Sequence, residues 1–320
     1  MLRLTKRVLI LAAGLLASGP ALADEGGASV WLPGQFGSFA AVPGDPGVSF
    51  EVMFYTRRAS AVAGTDFSRG GGLLAGLNVS EQYLFLTPTY TFEQPVLGGQ
   101  LAVGVTFSVG RSDSSIWGTL TGPGGNSISG GSSDSASGIS DTYPIASLKW
   151  QGGDHNFMSY VMGSAPTGPY DPNRLAGVGV GHWAIDGGLG YTYMPASGFE
   201  ISVTAGLTYN FVNPQTGYRS GTDGHIDIGT SWSFNESLYA GAVAYLYNQV
   251  SADTGGSARL GDFRSRVAGV GPQVGWSFAA GGLAVDVNLR GYKEFAAQNR
   301  PEGWNAYLTL SLSAAKKPGG

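Results

Sequence analysis

The sequence predicts an all-β protein: a transmembrane antiparallel β-barrel of about twelve strands, of the outer-membrane type. Three observations carry this reading. From residue 48 to residue 312 the chain resolves into twelve segments that alternate apolar with polar or small residues, the two-residue period of a strand. The connections after the second, fourth, sixth, eighth and tenth segments are short, whereas most of the others are long, as in bacterial barrels with short periplasmic turns and longer external loops. The first five strands that run toward the short turns all end in aromatic residues, as a girdle at the membrane interface requires.

Residues 1–23 open with Arg3, Lys6 and Arg7, continue through an apolar run from Val8 to Ala17, and close with Ala21-Leu22-Ala23. This is the pattern of a cleavable signal peptide, and it predicts export to the outer membrane of a Gram-negative cell. The apolar run is far short of the roughly 20 residues a spanning helix needs. Removing the segment takes three of the 18 basic residues and none of the 22 acidic ones, leaving 15 against 22, or −7. No basic surface is left for nucleic acid. The absence of cysteine excludes disulfides and Cys-ligated metals. With 53 glycines, 12% charged residues and a mean hydropathy of +0.03, the chain matches neither a disordered protein nor a helical membrane protein. A barrel occupies this middle ground because its lipid-facing and lumen-facing residues average out.

Residues 24–47 are too rich in Gly and Pro for a central strand. Their Trp31, Leu32, Phe36 and Phe39 are nevertheless too apolar for a free tail, so the expectation is a small hatch folded into the periplasmic end of the barrel.

The barrel itself is expected over residues 48–312, in segments 48–57, 82–92, 100–111, 142–151, 155–163, 182–194, 199–211, 222–234, 237–250, 264–278, 283–294 and 304–312. Four alternate cleanly: Leu101 to Val109 against Ala102 to Gly110, Phe199 to Phe211 against Glu200 to Asn210, Leu283 to Leu289 against Asp286 to Arg290, and Leu308 to Leu312 against Tyr307 to Ser311. The ninth, with Leu238 and Leu246 opposing Tyr239, Tyr245 and Tyr247, has no clear face, and Pro144-Ile145 interrupts the fourth. The aromatic ends are Tyr90 and Phe92, Trp150, Tyr191 and Tyr193, Trp232 and Phe234, and Trp276 and Phe278. Residues 313–320 form a C-terminal tail.

The alternation places Glu51, Lys149, Asp186, Glu200, His225, Asp227, Asp286 and Arg290 in the lumen, where charges either set selectivity or close the passage as salt bridges. Their acidic excess disfavours small anions. A search for catalysis finds only His155, His182 and His225, with no G-x-S-x-G elbow and no H-E-x-x-H pair. His225 and Asp227 share a face with Gly229, Ser231 and Ser233, which makes a polar lining and not a triad. Gly177 to Gly181 lacks the strand-turn-helix context of a nucleotide loop, and Asp171-Pro172-Asn173-Arg174 is a turn-former. No catalytic residue, metal site or cofactor is expected.

Several motifs resemble one family. They are Glu25-Gly26-Gly27-Ala28-Ser29 with Leu32-Pro33-Gly34, Pro88-Thr89-Tyr90 with Pro95 to Gly99, Ala165-Pro166-Thr167-Gly168 through Tyr170 to Leu175 and His182-Trp183, Leu260 to Phe263 with Gly271 to Gly275, and Tyr292 to Phe295 with Asn299 to Trp304. Together they are similar to the proteobacterial outer-membrane family of meta-pathway phenol-degradation proteins (SphA-like). More distantly, the chain resembles the fatty-acid and toluene channel group. The first resemblance implies transport of hydrophobic aromatic compounds; the second implies an N-terminal hatch. The expected function is therefore a monomeric channel for passive uptake of small hydrophobic, aromatic solutes, with outer-membrane lipid and the barrel-assembly machinery as its other partners. The alternatives are a non-selective or efflux-associated pore, and an enzyme or adhesin that uses the long loops 112–141 and 164–181.

Overall fold

In a hydrocarbon layer no water is present to satisfy backbone N–H and C=O groups, so a sheet that crosses one must close on itself. This chain closes. The computed structural model describes residues 29–255 and 264–315; the expected signal peptide, the first residues of the N-terminal segment and most of the C-terminal tail lie outside them. The strands are β1 (Gly47–Asp66), β2 (Gly72–Thr91), β3 (Gln100–Thr121), β4 (Ser127–Gly152), β5 (His155–Ser164), β6 (Ala184–Tyr193), β7 (Phe199–Asn210), β8 (Tyr218–Arg219), β9 (Asp223–Ser233), β10 (Leu238–Gln249), β11 (Thr254–Gly255), β12 (Arg266–Ala280), β13 (Leu283–Gln298) and β14 (Glu302–Ala314). Twelve of them form one closed antiparallel barrel, and the two-residue strands β8 and β11 pair separately in external connections. The seam joins β1 to β14 from Ser49 opposite Ser313 to Ser60 opposite Glu302. The barrel therefore runs past residue 312, where the sequence placed its end, because Ser313 and Ala314 find partners in Ser49 and Leu283.

The four clean strands present the expected faces: Phe107, Leu207, Leu289 and Leu308 stand exposed outside, whereas Ser108, Glu200, Thr204 and Arg290 are buried inside. The two unassigned strands also resolve. On β10, Val243, Tyr245 and Tyr247 are buried and Leu238 and Leu246 are exposed. On β4, Tyr143, Ile145, Ser147 and Lys149 line the interior. β10 resisted a sequence reading because Val243, Tyr245 and Tyr247 make its inward face as apolar as its outward one, and β4 because Ile145 points inward beside Pro144 and breaks the polarity contrast. At the periplasmic end Tyr90 lies against Phe92, and Trp276 against Phe278, with ring centroids 5.1 and 4.7 Å apart. Proline has no N–H for the ladder. Accordingly the β2–β3 pairing skips from Leu86–Phe107 to Thr89–Gly104 at Pro88, and the β12–β13 pairing skips from Val270–Lys293 to Gln273–Arg290 at Pro272.

One expectation is overturned. Residues 58–81 and 112–141, read as external loops, are strand: β1 and β2 meet at a tight turn over 67–71, and β3 and β4, of 22 and 26 residues, meet at 122–126. The four strands project beyond the membrane as a tongue. Thr56, Gln82 and Arg111 stand in register as one row across it. Below this row the outward residues are Phe54, Leu84, Leu86, Phe107 and Val109; directly above it they are Arg58, Ser60, Asn78, Ser80, Asp113 and Ser115, followed nearer the tip by Val62, Leu74 and Trp117. The inward face passes Glu81, Ser112 and Ser114 and then carries Ala61, Leu73, Leu77, Val79, Ile116 and Leu120. Ser and Gly have low intrinsic strand propensity, and here pairing supplies what propensity does not. Hydroxyl pairs such as Thr119–Ser129 at 2.8 Å and Thr121–Ser127 at 2.9 Å zip the outer face together.

The row marks the outer edge of the hydrocarbon layer, and this can be measured. Leu289→Arg, on the lipid face of β13, is expected to destabilise the folded barrel by about 2–4 kcal/mol. Ser115→Arg, on the outward face of the tongue, is expected to be close to neutral. Denaturant titration of both variants in lipid bilayers is the check; equal losses would move the membrane edge.

Candidate functional site

The lumen is occupied by the protein's own N-terminal segment. Residues 29–46 contain no strand, so their backbone groups need partners from elsewhere. Two turns close internally, Gln35 N–H to the Leu32 carbonyl and Val42 N–H to that of Phe39, each at 3.0 Å. The barrel wall supplies the others. Asp227 accepts the N–H groups of Gly34 and Phe36 at 3.0 and 3.1 Å. Glu200 accepts that of Phe39 at 3.0 Å, and the Thr192 hydroxyl that of Ala41 at 3.2 Å. Arg290 donates to the carbonyls of Gly34 and Gln35 at 3.2 and 2.8 Å, Lys149 to that of Val42 at 3.1 Å, and Tyr307 to that of Pro33 at 2.8 Å.

The aromatic residues of the segment anchor it. Trp31, fully buried, stacks on His225 with ring centroids 3.6 Å apart and planes 14° from parallel. Phe36 meets Trp31 and Tyr160 at 5.5 and 5.3 Å, Leu32 packs on the same core, and Phe39 meets Tyr239 edge-on at 5.1 Å. His225 is held in turn by Asp186, whose carboxylate is 3.0 Å from Nε2 and also accepts the Thr208 hydroxyl at 2.6 Å. The segment reaches further than a hatch at the periplasmic end. Lys149, Thr192 and Glu200 hold its later residues near the short turns, while Val30 packs with Val180 and Ala184 at the external side.

Two glycines make this fit. Gly34 has φ of +85°, and a Cβ there would fall 2.7 Å from the Tyr292 ring. A Cβ on Gly229 would fall 2.4 Å from the Ser38 nitrogen, so the wall is bare where the segment touches it.

The sequence-predicted lumen residues thus separate by task. Asp227, Glu200, Arg290 and Lys149 hold segment backbone, and Asp186 positions His225. Glu51 lines the open part of the lumen, and Asp286 lines its periplasmic end, where it accepts the Ser277 hydroxyl. The charges were expected to set selectivity or to neutralise one another; four of the eight instead satisfy the backbone of a segment that contains no strand. His225 and Ser231 do not act together, because Ser231 donates to Glu200 at 2.9 Å.

Beside the segment lies a cavity of about 800 Å³. Its middle is lined by Leu32, Phe36, Met53, Tyr55, Tyr83, Phe85, Ile145, Met158, Tyr160 and Met162, and its periplasmic end by Glu51, Thr87, Thr106, Ser147 and Lys149. Sequence reasoning missed this apolar lining by collecting only charges. The signal was present: Met53 and Tyr55 fall in the same strand phase as Glu51 and Arg57. It also missed a buried cluster near the external mouth, in which Arg57 pairs with Glu81 at 3.2 Å and with Glu294 at 3.6 Å.

The external loop 165–183 folds over the mouth. Asp141 accepts the N–H groups of Gly168 and Val180 at 2.9 and 2.8 Å, and Ala176 and Val178 pack on Ala136. Asp134 receives Arg174 through Nε and Nη2 at 3.0 and 2.7 Å, together with the Ala176 N–H at 3.1 Å.

A family model described as "MetA-pathway of phenol degradation" matches residues 63–310. The chain belongs to this family. Among solved structures it is similar to an outer-membrane channel from Pseudomonas putida F1, with a TM-score of 0.64 and 13% identity over 87% of this chain and all of that one. At that identity the likeness speaks to the fold. A Pseudomonas aeruginosa FadL homologue matches at a TM-score of 0.38 and 10% identity over 83% of this chain and 89% of that one, too low to carry an argument. No curated protein is similar enough to count as a match.

Two outcomes follow from this geometry. Gly229→Val is expected to expel residues 34–39 from their seat without unfolding the barrel, raising single-channel conductance several-fold; an unchanged trace would mean that the wall tolerates the side chain. The Arg174 guanidinium holds the Asp134 carboxyl well below the usual carboxylate range. Its hold on the loop is therefore complete above the ordinary carboxylate pKa and is lost only as the pH falls through the lowered one. At neutral pH Asp134→Asn should accelerate tryptic cleavage after Arg174, whereas the parent protein should resist equally at pH 7 and pH 5.

Proposed function

We propose that the protein is an outer-membrane channel through which small hydrophobic, aromatic solutes enter passively, with residues 29–42 as a movable plug and no covalent chemistry. The observation that carries this reading is the apolar, ring-lined middle of the cavity, in a lumen that a porin would line with polar groups throughout. Tyr and Phe supply flat apolar surface, and Tyr adds a hydroxyl that can meet a phenol-like substituent. Met158 and Met162 supply adaptable surface that fits rings of differing shape. A solute the size of phenol leaving water for this chamber gains about 25 cal/mol for each Å² of apolar surface buried. The polar periplasmic end around Glu51 and Lys149 lets it go again. Membership of a family described by phenol degradation supports the same solute class.

The plug suits this task because it is held by hydrogen bonds and ring contacts and lacks strand pairing of its own, so it can leave while the barrel remains intact. A non-selective pore would need a polar path along its whole length, and the wall residues Met53, Tyr55, Phe85 and Met158, which stay when the plug moves, argue against that. The separate engagement of His225 and Ser231 gives no support to an enzyme.

The test is uptake of radiolabelled phenol, toluene and a hydrophilic sugar into liposomes carrying the refolded mature protein. The aromatics are expected to enter faster than the sugar, and Met158→Asp combined with Phe85→Gln to slow them about tenfold with little effect on sugar. Equal entry of all three would make the protein a general pore, and no entry at all would end the channel reading.

A further inference from the structure

The inward face of the tongue has no role in the passage described so far. Above the Thr56–Gln82–Arg111 row it presents Ala61, Leu73, Leu77, Val79, Ile116 and Leu120 from β1, β2 and β3, while the outward face is mostly Ser, Thr, Asn and Asp, with Arg58 at its base and Val62, Leu74 and Trp117 nearer the tip. A water-exposed sheet whose larger share of apolar side chains faces the barrel axis, with only Val62, Leu74 and Trp117 on its outward side, has the polarity of a soluble domain with its second layer missing. The leucines and Ile116 are partly exposed, and Ile128 at the tip is 54% exposed. Loop 165–183 covers the base, where Ala176 and Val178 pack on Ala136.

This face is continuous with the cavity. Tyr83 packs both on the Ala136–Ala176–Val178 cluster and on the lumen core that contains Tyr55, Phe85 and Met158. Val178 itself lines the cavity. The charged side chains between face and cavity are paired with one another, Arg57 with Glu81 and with Glu294, so none of the three stands alone in the path. The face is turned to the barrel axis and lies beyond the hydrocarbon edge, so bilayer lipid does not cover it.

We propose that the tongue is an external capture surface for the hydrophobic solute: small apolar rings adsorb on its inward face and pass along it to Tyr83 and the cavity. This rests on the channel reading for the identity of its ligand. The physical gain is local concentration. A sparingly soluble ring that meets an apolar strip before the mouth searches one dimension instead of three, and the strip is formed by the same strand residues whose phase continues into the lumen.

The experiment uses the refolded mature protein in phospholipid nanodiscs with a photoreactive aryl diazirine, followed by peptide mapping. Labelling of peptides from residues 73–79 and 114–120 is the expected result; labelling confined to lumen residues such as Met158 and Tyr160 would overturn the proposal. A second measurement uses the variant Leu73→Ser, Leu77→Ser, Ile116→Ser, Leu120→Ser in the liposome assay. The half-saturating toluene concentration is expected to rise at least threefold, with maximal rate and single-channel conductance unchanged. An unchanged half-saturating concentration would overturn the proposal while leaving the channel intact. Labelled tongue peptides in a protein that passes no aromatic solute would instead overturn the channel reading and keep the surface. If light scattering showed the parent protein as a dimer and the variant as a monomer, a second copy covers the face and the proposal fails.

Discussion

Unpaired backbone N–H and C=O groups are what this structure is built to avoid, and it avoids them in two ways. In the wall, twelve strands close through the β1–β14 seam, so that no edge faces lipid. In the lumen, the irregular segment from Val30 to Val42 cannot use that solution, and side chains of the wall complete it one group at a time. The charges of the lumen follow from this second need. A carboxylate with two N–H donors, as at Asp227, is well placed inside a barrel because the charge is met by the dipoles it organises.

The two solutions differ in what it takes to undo them. Opening the wall means breaking ladders of eight or more paired residues together. Freeing the segment means exchanging a handful of hydrogen bonds and the Trp31–His225 stack for water and solute, groups that a filled lumen can satisfy in turn. A protein that must stay in the membrane and yet change its bore has reason to put the barrier in the second class of contact. Loop 165–183, held by Asp134 and Asp141, is of the same class at the other end.

Much of this was legible before any coordinates. The alternation of β3, β7, β13 and β14 named their lipid faces residue by residue, since lipid demands apolar outward side chains and the lumen tolerates small or polar ones. The first three segments were bounded at Arg57, Gln82 and Arg111 because the regular outward run of apolar side chains stops there. That reading located the membrane edge, and mistook it for the end of the strands. Beyond it the chain remains strand with its outward face mostly polar, in residues whose own propensity argues for loop. The charged lumen residues were found by phase. The ring-lined cavity was not, because Met53, Tyr55 and Phe85 look lipid-facing unless they are counted from their neighbouring charges.

By itself the sequence determined the architecture: strand number, direction, the side of the short turns and the aromatic belt, all of which are local consequences of a two-residue period meeting a slab of hydrocarbon. Only the tertiary structure decided what fills the barrel. Which wall residue faces Gly34 or Trp31 depends on closure, which brings Asp227 and Arg290 from distant strands to one point on the axis. No local pattern encodes such contacts across some 190 to 260 positions of chain, because they exist only once the sheet has become a cylinder.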